Sequence, residues 1–132
     1  MTARATLLAA VLAAVVPLQA AGKAAGKPSL NAYFQSTLVD TAYQKKTFDR
    51  VAKAWKTPPA KAMPKVAAKT VVQAVIAKDG KLASATVSMT SGSKDWDAAA
   101  LAAVRGAAPY DPLPGAYRYP SVEVHFHVSV VP

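Results

Sequence analysis

The chain has 132 residues and no cysteine, which leaves room for one domain with short appendages and excludes disulfides and thiolate metal sites. Sixteen Lys and Arg face seven Asp and Glu, for a net charge of +9. The excess is lopsided: residues 22–69 carry ten basic and two acidic side chains, residues 70–132 five of each.

Residues 1–21 lie within "MTARATLLAAVLAAVVPLQAAGKA". Arg4 precedes an uncharged Ala/Leu/Val run from Ala5 to Ala21 that contains Pro17 and ends in small residues. This is the layout of a secretory signal peptide, with a cut near Ala20 to Gly22. The alternative is an N-terminal membrane anchor, which wants about 20 apolar residues; the run is shorter, rich in alanine and interrupted by proline. In an exported chain nucleic acid is a poor partner. The basic half then points to anionic envelope material or an acidic protein segment, with a solvated lysine face as the plain alternative.

Residues 22–40 read as a short flexible lead, "GKAAGKPSLNA", followed by "YFQSTLVD", apolar enough to pack but without a clear period. Asp40 or Thr41 is placed to cap a helix. Tyr43, Thr47, Phe48, Val51, Ala52 and Trp55 fall on one side of it at helical spacing, and Lys46, Asp49, Arg50, Lys53 and Lys56 on the other. Pro58 and Pro59 end it. Tyr43 and Trp55 suit a core stripe better than a ligand-stacking pair.

The β-branched run "KTVVQAVIA" reads as a strand, Asp79-Gly80 as a hairpin turn that needs positive φ, and "LASATVSM" as the return strand. On the return strand, Ala83, Ala85, Val87 and Met89 are expected on the buried side. Ser93 or Asp95 caps a second helix, with Asp95 and Asp97 at the positive end of its dipole. Its stripe is Trp96, Ala100, Ala103, Val104 and Ala107, small residues that let a helix approach a sheet. Pro109, Pro112 and Pro114 form a stiff exit. In "SVEVHFHVSV" the residues Val122, Val124, Phe126, Val128 and Val130 alternate with Glu123, His125, His127 and Ser129.

The expected fold is α+β in the order α-β-β-α-β: a three-stranded sheet with both helices on one face. The last strand is expected beside the first, as a split β-α-β unit, and outermost in the sheet.

Side-chain chemistry is sparse. His125 and His127 share one face of a strand, with Glu123 beside them, which is a weak metal-ligand pattern. No nucleophile with a base and an orienting group is readable, carboxylates are scattered, and no glycine-rich nucleotide loop occurs. The expectation is a non-enzyme without cofactor, whose working part is main chain at an open strand edge.

Residues 41–130 resemble the C-terminal domain of the TonB/TolA family of energy-transducing envelope proteins. The resemblance rests on Tyr43, Val51, Trp55 and Pro58 in "YQKKTFDRVAKAWKTP", then "VIAKDGKLASATVSMTSGS", "WDAAALAAVRGAAPYDPLP" and a closing "VEVHFHV". It implies a domain over 41–132 in the periplasm, or anchored to the inner membrane and facing it. The implied partner is an envelope protein: an outer-membrane receptor segment, a Tol-type component, or ExbB/ExbD if the chain is anchored. It also implies capture near the last strand, at Glu123, Val124, His125, Phe126, His127 and Val128. A basic surface of Lys46, Arg50 and Lys53 would serve an anionic partner. The chain lacks the Tyr-Pro pair and the cysteine pair found in parts of the family. Residues 22–40 span at most about 70 Å when extended, which favours a free periplasmic form over a transducer. The readings from other classes are a small periplasmic metal-binding protein using His125 and His127, and a structural envelope adaptor using the basic helix.

Overall fold

The computed structural model describes residues 26–35 and 37–132, so the leader expected over 1–21 lies outside the described residues. In chain order the elements are β1 (Lys27–Phe34), α1 (Thr41–Ala54), a 3-10 turn (Ala60–Ala62), β2 (Lys69–Ala77), β3 (Leu82–Met89), α2 (Lys94–Gly106) and β4 (Ser121–Val131).

Asp40 caps α1 by accepting the Tyr43 amide at 2.9 Å, and Trp55 closes the last turn onto the Ala52 carbonyl. Ser93 caps α2 by accepting the Trp96 amide at 3.2 Å, with Asp95 and Asp97 in the first turn and Arg105 in the last. Both ends of α2 therefore complement its dipole. Gly80 takes φ +92° in the β2–β3 turn. A Cβ there would fall on the Tyr110 carbonyl, because the loop after α2 folds back over the hairpin tip. Tyr110 N donates to Gly80 O at 2.8 Å, and Leu113 N to Lys78 O at 2.9 Å. The proline-rich exit is thus a packed strap that buries Tyr110, Leu113 and Tyr117.

The sheet has four strands in the order β1-β4-β2-β3, all neighbours antiparallel. β4 lies beside β2, so β3, α2 and β4 form the expected split unit. The expected three strands become four, because Lys27–Phe34 is not a flexible lead but a strand paired with β4 from Lys27↔Val131 to Phe34↔Val124. The expected edge position of the last strand is corrected by the same fact: β4 is interior, and β1 and β3 are the edges.

Along β4 alternate residues from Val122 to Val130 are buried. Directly opposed residues share a face, so Leu30, Ala32 and Phe34 of β1 and Thr70, Val72, Ala74 and Ile76 of β2 join this buried side. Tyr43 and Val51 of α1, and Trp96, Ala100, Ala103 and Val104 of α2, belong to the same core cluster. Trp96 is 0% exposed, and its indole N–H donates to Val128 O at 3.1 Å. Trp55 is half-buried and meets Trp96 edge to face, with centroids 5.0 Å apart.

The alternation expected along β3 holds only in part. Two irregularities, opposite Val71/Val72 and Val75/Ile76, set extra residues into β3. Of the four expected residues only Ala85 is buried: Val87 opposes Val72 on the core side yet is 36% exposed, Ala83 is exposed within one irregularity, and Met89 opposes Val71 on the helix-free side and is 50% exposed. A bulge reverses which side an alternating pattern faces.

Candidate protein-binding edge

The residues expected to bind a partner, Glu123–Val128, sit in the middle of β4, and β1 lies along the side on which a partner would add. One bond sets the phase of this ladder: Gln35 N donates to Glu123 O at 3.1 Å. Bonding direction alternates along an antiparallel pair. The amides of Glu123, His125, His127 and Ser129 therefore face β1, and those of Val124, Phe126, Val128 and Val130 face β2. Val130 N accordingly donates to Ala68 O at 3.0 Å, on the β2 side. On β1 the amides of Lys27, Ser29, Asn31 and Tyr33 face β4, while Leu30, Ala32 and Phe34 direct theirs to solvent. Pro28 falls in the solvent-directed set, where the missing N–H costs nothing.

Side chains divide in the same way. Val124, Phe126 and Val128 are core, exposed by no more than 2%, and hold the strand in place. Glu123, His125 and His127 are half-exposed on the helix-free face. Glu123 Oε2 and His125 Nε2 lie 2.6 Å apart. His127 meets Tyr33 of β1 edge to face, at 4.6 Å between centroids. Burial, then the neighbouring Lys69 and His125, hold the His127 imidazole below its ordinary pKa. The two histidines thus have separate neighbours, and among the described residues no group of three or more His, Cys, Asp or Glu could hold a metal ion.

The basic surface is partly engaged. Arg50 reaches Asp111 at 2.7 Å and Lys46 approaches the same carboxylate at 4.0 Å. Asp111 comes from the strap after α2, whose backbone carbonyl there also accepts the Tyr43 hydroxyl at 3.0 Å. Two of the three expected anion-binding residues therefore help moor the strap. Lys53 sits further along the helix, beside a shallow groove with Gly106 and Ala107.

The element that sequence reasoning missed is β1. Its signal was present as the period-two pattern Leu30, Ala32, Phe34 against Asn31 and Tyr33. Gly26, Lys27 and Pro28 masked it by reading as linker. Gly26 takes φ +66°, and a Cβ there would meet Val130 at 2.7 Å; the glycine belongs to a close strand approach.

A family model described as "TonB C terminal" matches residues 40–127. Among solved structures the chain is similar to TolAIII, determined in solution bound to a peptide derived from the N-terminus of TolB. The two share 27% identity over 67% of this chain and 74% of that one, with a TM-score of 0.52. No curated protein matches the chain.

Proposed function

Since this chain belongs to the TonB C-terminal family, we propose that it is an exported, periplasm-facing domain that captures an extended protein segment by adding it as a strand along Glu123–Val128. It binds and does not catalyse. Its setting is TonB-dependent transport or envelope integrity, with an outer-membrane receptor segment or a Tol-type component as partner, or ExbB/ExbD if the leader remains as an anchor.

The observation that carries this reading is the row of β4 amides directed toward β1, the edge strand whose place along β4 a captured segment would take. Main-chain pairing supplies affinity, and side chains at alternate positions supply selectivity. Two features of relatives support it: the family match spans α1 to His127, and the similar TolAIII structure holds a peptide.

The test is a titration of the isotope-labelled chain with the TolB-derived peptide. Shifts should centre on Glu123–Val128. Alanine at Glu123, His125 or His127 should weaken binding only modestly, since their amides remain. His127→Pro removes an amide on the β1 side of β4, opposite Asn31, and should abolish binding in a chain that still folds. Undiminished binding by folded His127→Pro would rule out strand addition here, and shifts confined to Lys46, Arg50 and Lys53 would favour the basic helix.

A further inference from the structure

We propose that Lys27–Phe34 is an internal stand-in for the partner strand: it keeps the β4 edge closed until a competing extended segment, apolar at alternate positions and bulkier than β1, displaces it. This inference rests on the reading of β4 as the binding edge and adds what regulates that edge and what opens it.

Three observations on β1 converge. First, it lies before the family-matched span of 40–127. That span contains α1, β2, β3, α2 and β4 as far as His127, so within it the outer side of β4 has no strand. Here residues 27–34 supply one, from the same chain and in full register.

Second, β1 is held like a replaceable strand. None of its side chains is buried; every one is half-buried or exposed. Its inward amides come only at alternate residues, and Pro28 stands in the outward set. Its end is fixed by a polar clasp, in which Gln35 Oε1 accepts the Glu123 amide at 2.7 Å. Edge strands of this kind open at lower cost than interior ones.

Third, β1 fits its slot incompletely. Pro28, Ser29, Leu30, Ala52, Trp55 and Val128 line an apolar groove of about 140 Å³ that the strand leaves unfilled. A competitor with a larger apolar residue in the place of Leu30 would fill it and gain contacts that β1 does not make. The fitting segment therefore runs antiparallel to β4. It places a bulky apolar residue opposite Val128, a small one opposite Phe126 and an aromatic opposite Val124, the positions of Leu30, Ala32 and Phe34.

The experiment uses the full chain and two fluorescent peptides, KPSLNAYF, copied from residues 27–34, and KPSFNAYF, with Phe for Leu. The double variant S29C/S129C places its only two cysteines on directly opposed residues. Hydrogen-bonded antiparallel pairs sit about 5.5 Å apart at Cα, within the range of a disulfide. Asn31→Pro removes an inward amide of β1 and leaves β4 intact. Gly26→Ala loosens the same strand at its start and serves if Asn31→Pro does not fold.

The oxidised staple should lose peptide binding and regain it on reduction. The loosened variant should bind at least tenfold more tightly than the unaltered chain, and the Phe peptide more tightly than the Leu peptide. Equal binding by oxidised and reduced forms, with shifts at Glu123–Val128, would overturn the stand-in while leaving the β4 reading in place. Shifts confined to Leu82–Met89 in every form would overturn both. No binding of either peptide by a folded, loosened variant would overturn the stand-in.

Discussion

Gln35 and Glu123 close the β1–β4 ladder on each other twice. The Gln35 amide donates to the Glu123 carbonyl at 3.1 Å, and the Gln35 side-chain oxygen accepts the Glu123 amide at 2.7 Å. A side chain here takes over from the main chain at the point where β1 turns away toward α1. Gln35→Ala should keep the first bond and lose the second. A bond of this kind contributes about 0.5–1.5 kcal/mol net. The expected result is faster hydrogen exchange at the Glu123 amide and fraying of Tyr33 and Phe34, with β2 and β3 unchanged. Unaltered exchange at Glu123 would show that the clasp does not hold the strand.

The two tryptophans should behave differently. Trp96 is fully buried and bonded to Val128 O, so Trp96→Ala should cost about 3–5 kcal/mol and lower the melting temperature sharply. Trp55 is half-buried and lies one residue past the helix. Its replacement by alanine should cost less, about 1–2 kcal/mol, since only part of the side chain leaves an apolar environment. Chemical denaturation of both variants checks the ranking, and equal losses would contradict it.

Asp97 gathers the start of α2. Thr70 and Thr90 donate to it through their hydroxyls, and Ser91 through both its amide and its hydroxyl, each at 2.9 Å. Burial works against the carboxylate, but the combined hydrogen bonds outweigh it and hold the pKa below its ordinary value. A depressed carboxyl pKa means that the unfolded chain binds the proton first as pH falls. Its stabilisation is therefore complete above about pH 4, the ordinary carboxyl range, and drains away as pH drops through the folded value. Asp97→Asn should flatten this part of an acid-unfolding curve. An identical acid limb in the variant would count against the assignment.

His127 acts in the same direction at higher pH. Its imidazole is held below the ordinary histidine value by burial, then by Lys69 and His125. The folded state thus resists protonation, and the contribution is present above about pH 6.5 and lost as pH falls through the folded value. Because Tyr33 of β1 packs on this ring, acidification should loosen β1 in particular. Protection at Asn31 and Tyr33, taken relative to the intrinsic exchange rate at each pH, should fall below neutral pH in the native chain and less so in His127→Gln. A pH-independent β1 would contradict the contact.

Much of this fold is legible in the residue order because local signals agree with the tertiary outcome. Asp40 and Ser93 cap the helices, Asp79-Gly80 makes the hairpin, and the strict alternation from Val122 to Val130 marks a strand with one buried face. Trp96 with its alanines marks the helix that covers that face. Three features escape such reading. The bulges in β3 leave no composition signature in a Ser/Ala/Thr strand, so the side taken by Met89 depends on pairing with β2. The strap over the hairpin is fixed by contacts between distant segments, such as Tyr110 with Gly80. The pairing of β1 is a long-range choice, and its half-buried residues carry too weak a pattern to outweigh Gly26 and Pro28. The candidate site is accordingly half legible: the alternation along Val122–Val130 tells which side chains of β4 face the core and which face outward, and the strand already lying against it is not legible.

The most direct measurement is amide hydrogen exchange on the full chain, free and saturated with a captured segment. In the free chain Asn31, Tyr33, His125 and His127 should all be protected by the β1–β4 ladder. On capture, Asn31 and Tyr33 should lose protection while His125 and His127 keep it, because one strand has replaced another along β4. If Asn31 and Tyr33 stay protected and new protection appears along Leu82–Met89, the segment has added at the opposite edge and the account is contradicted.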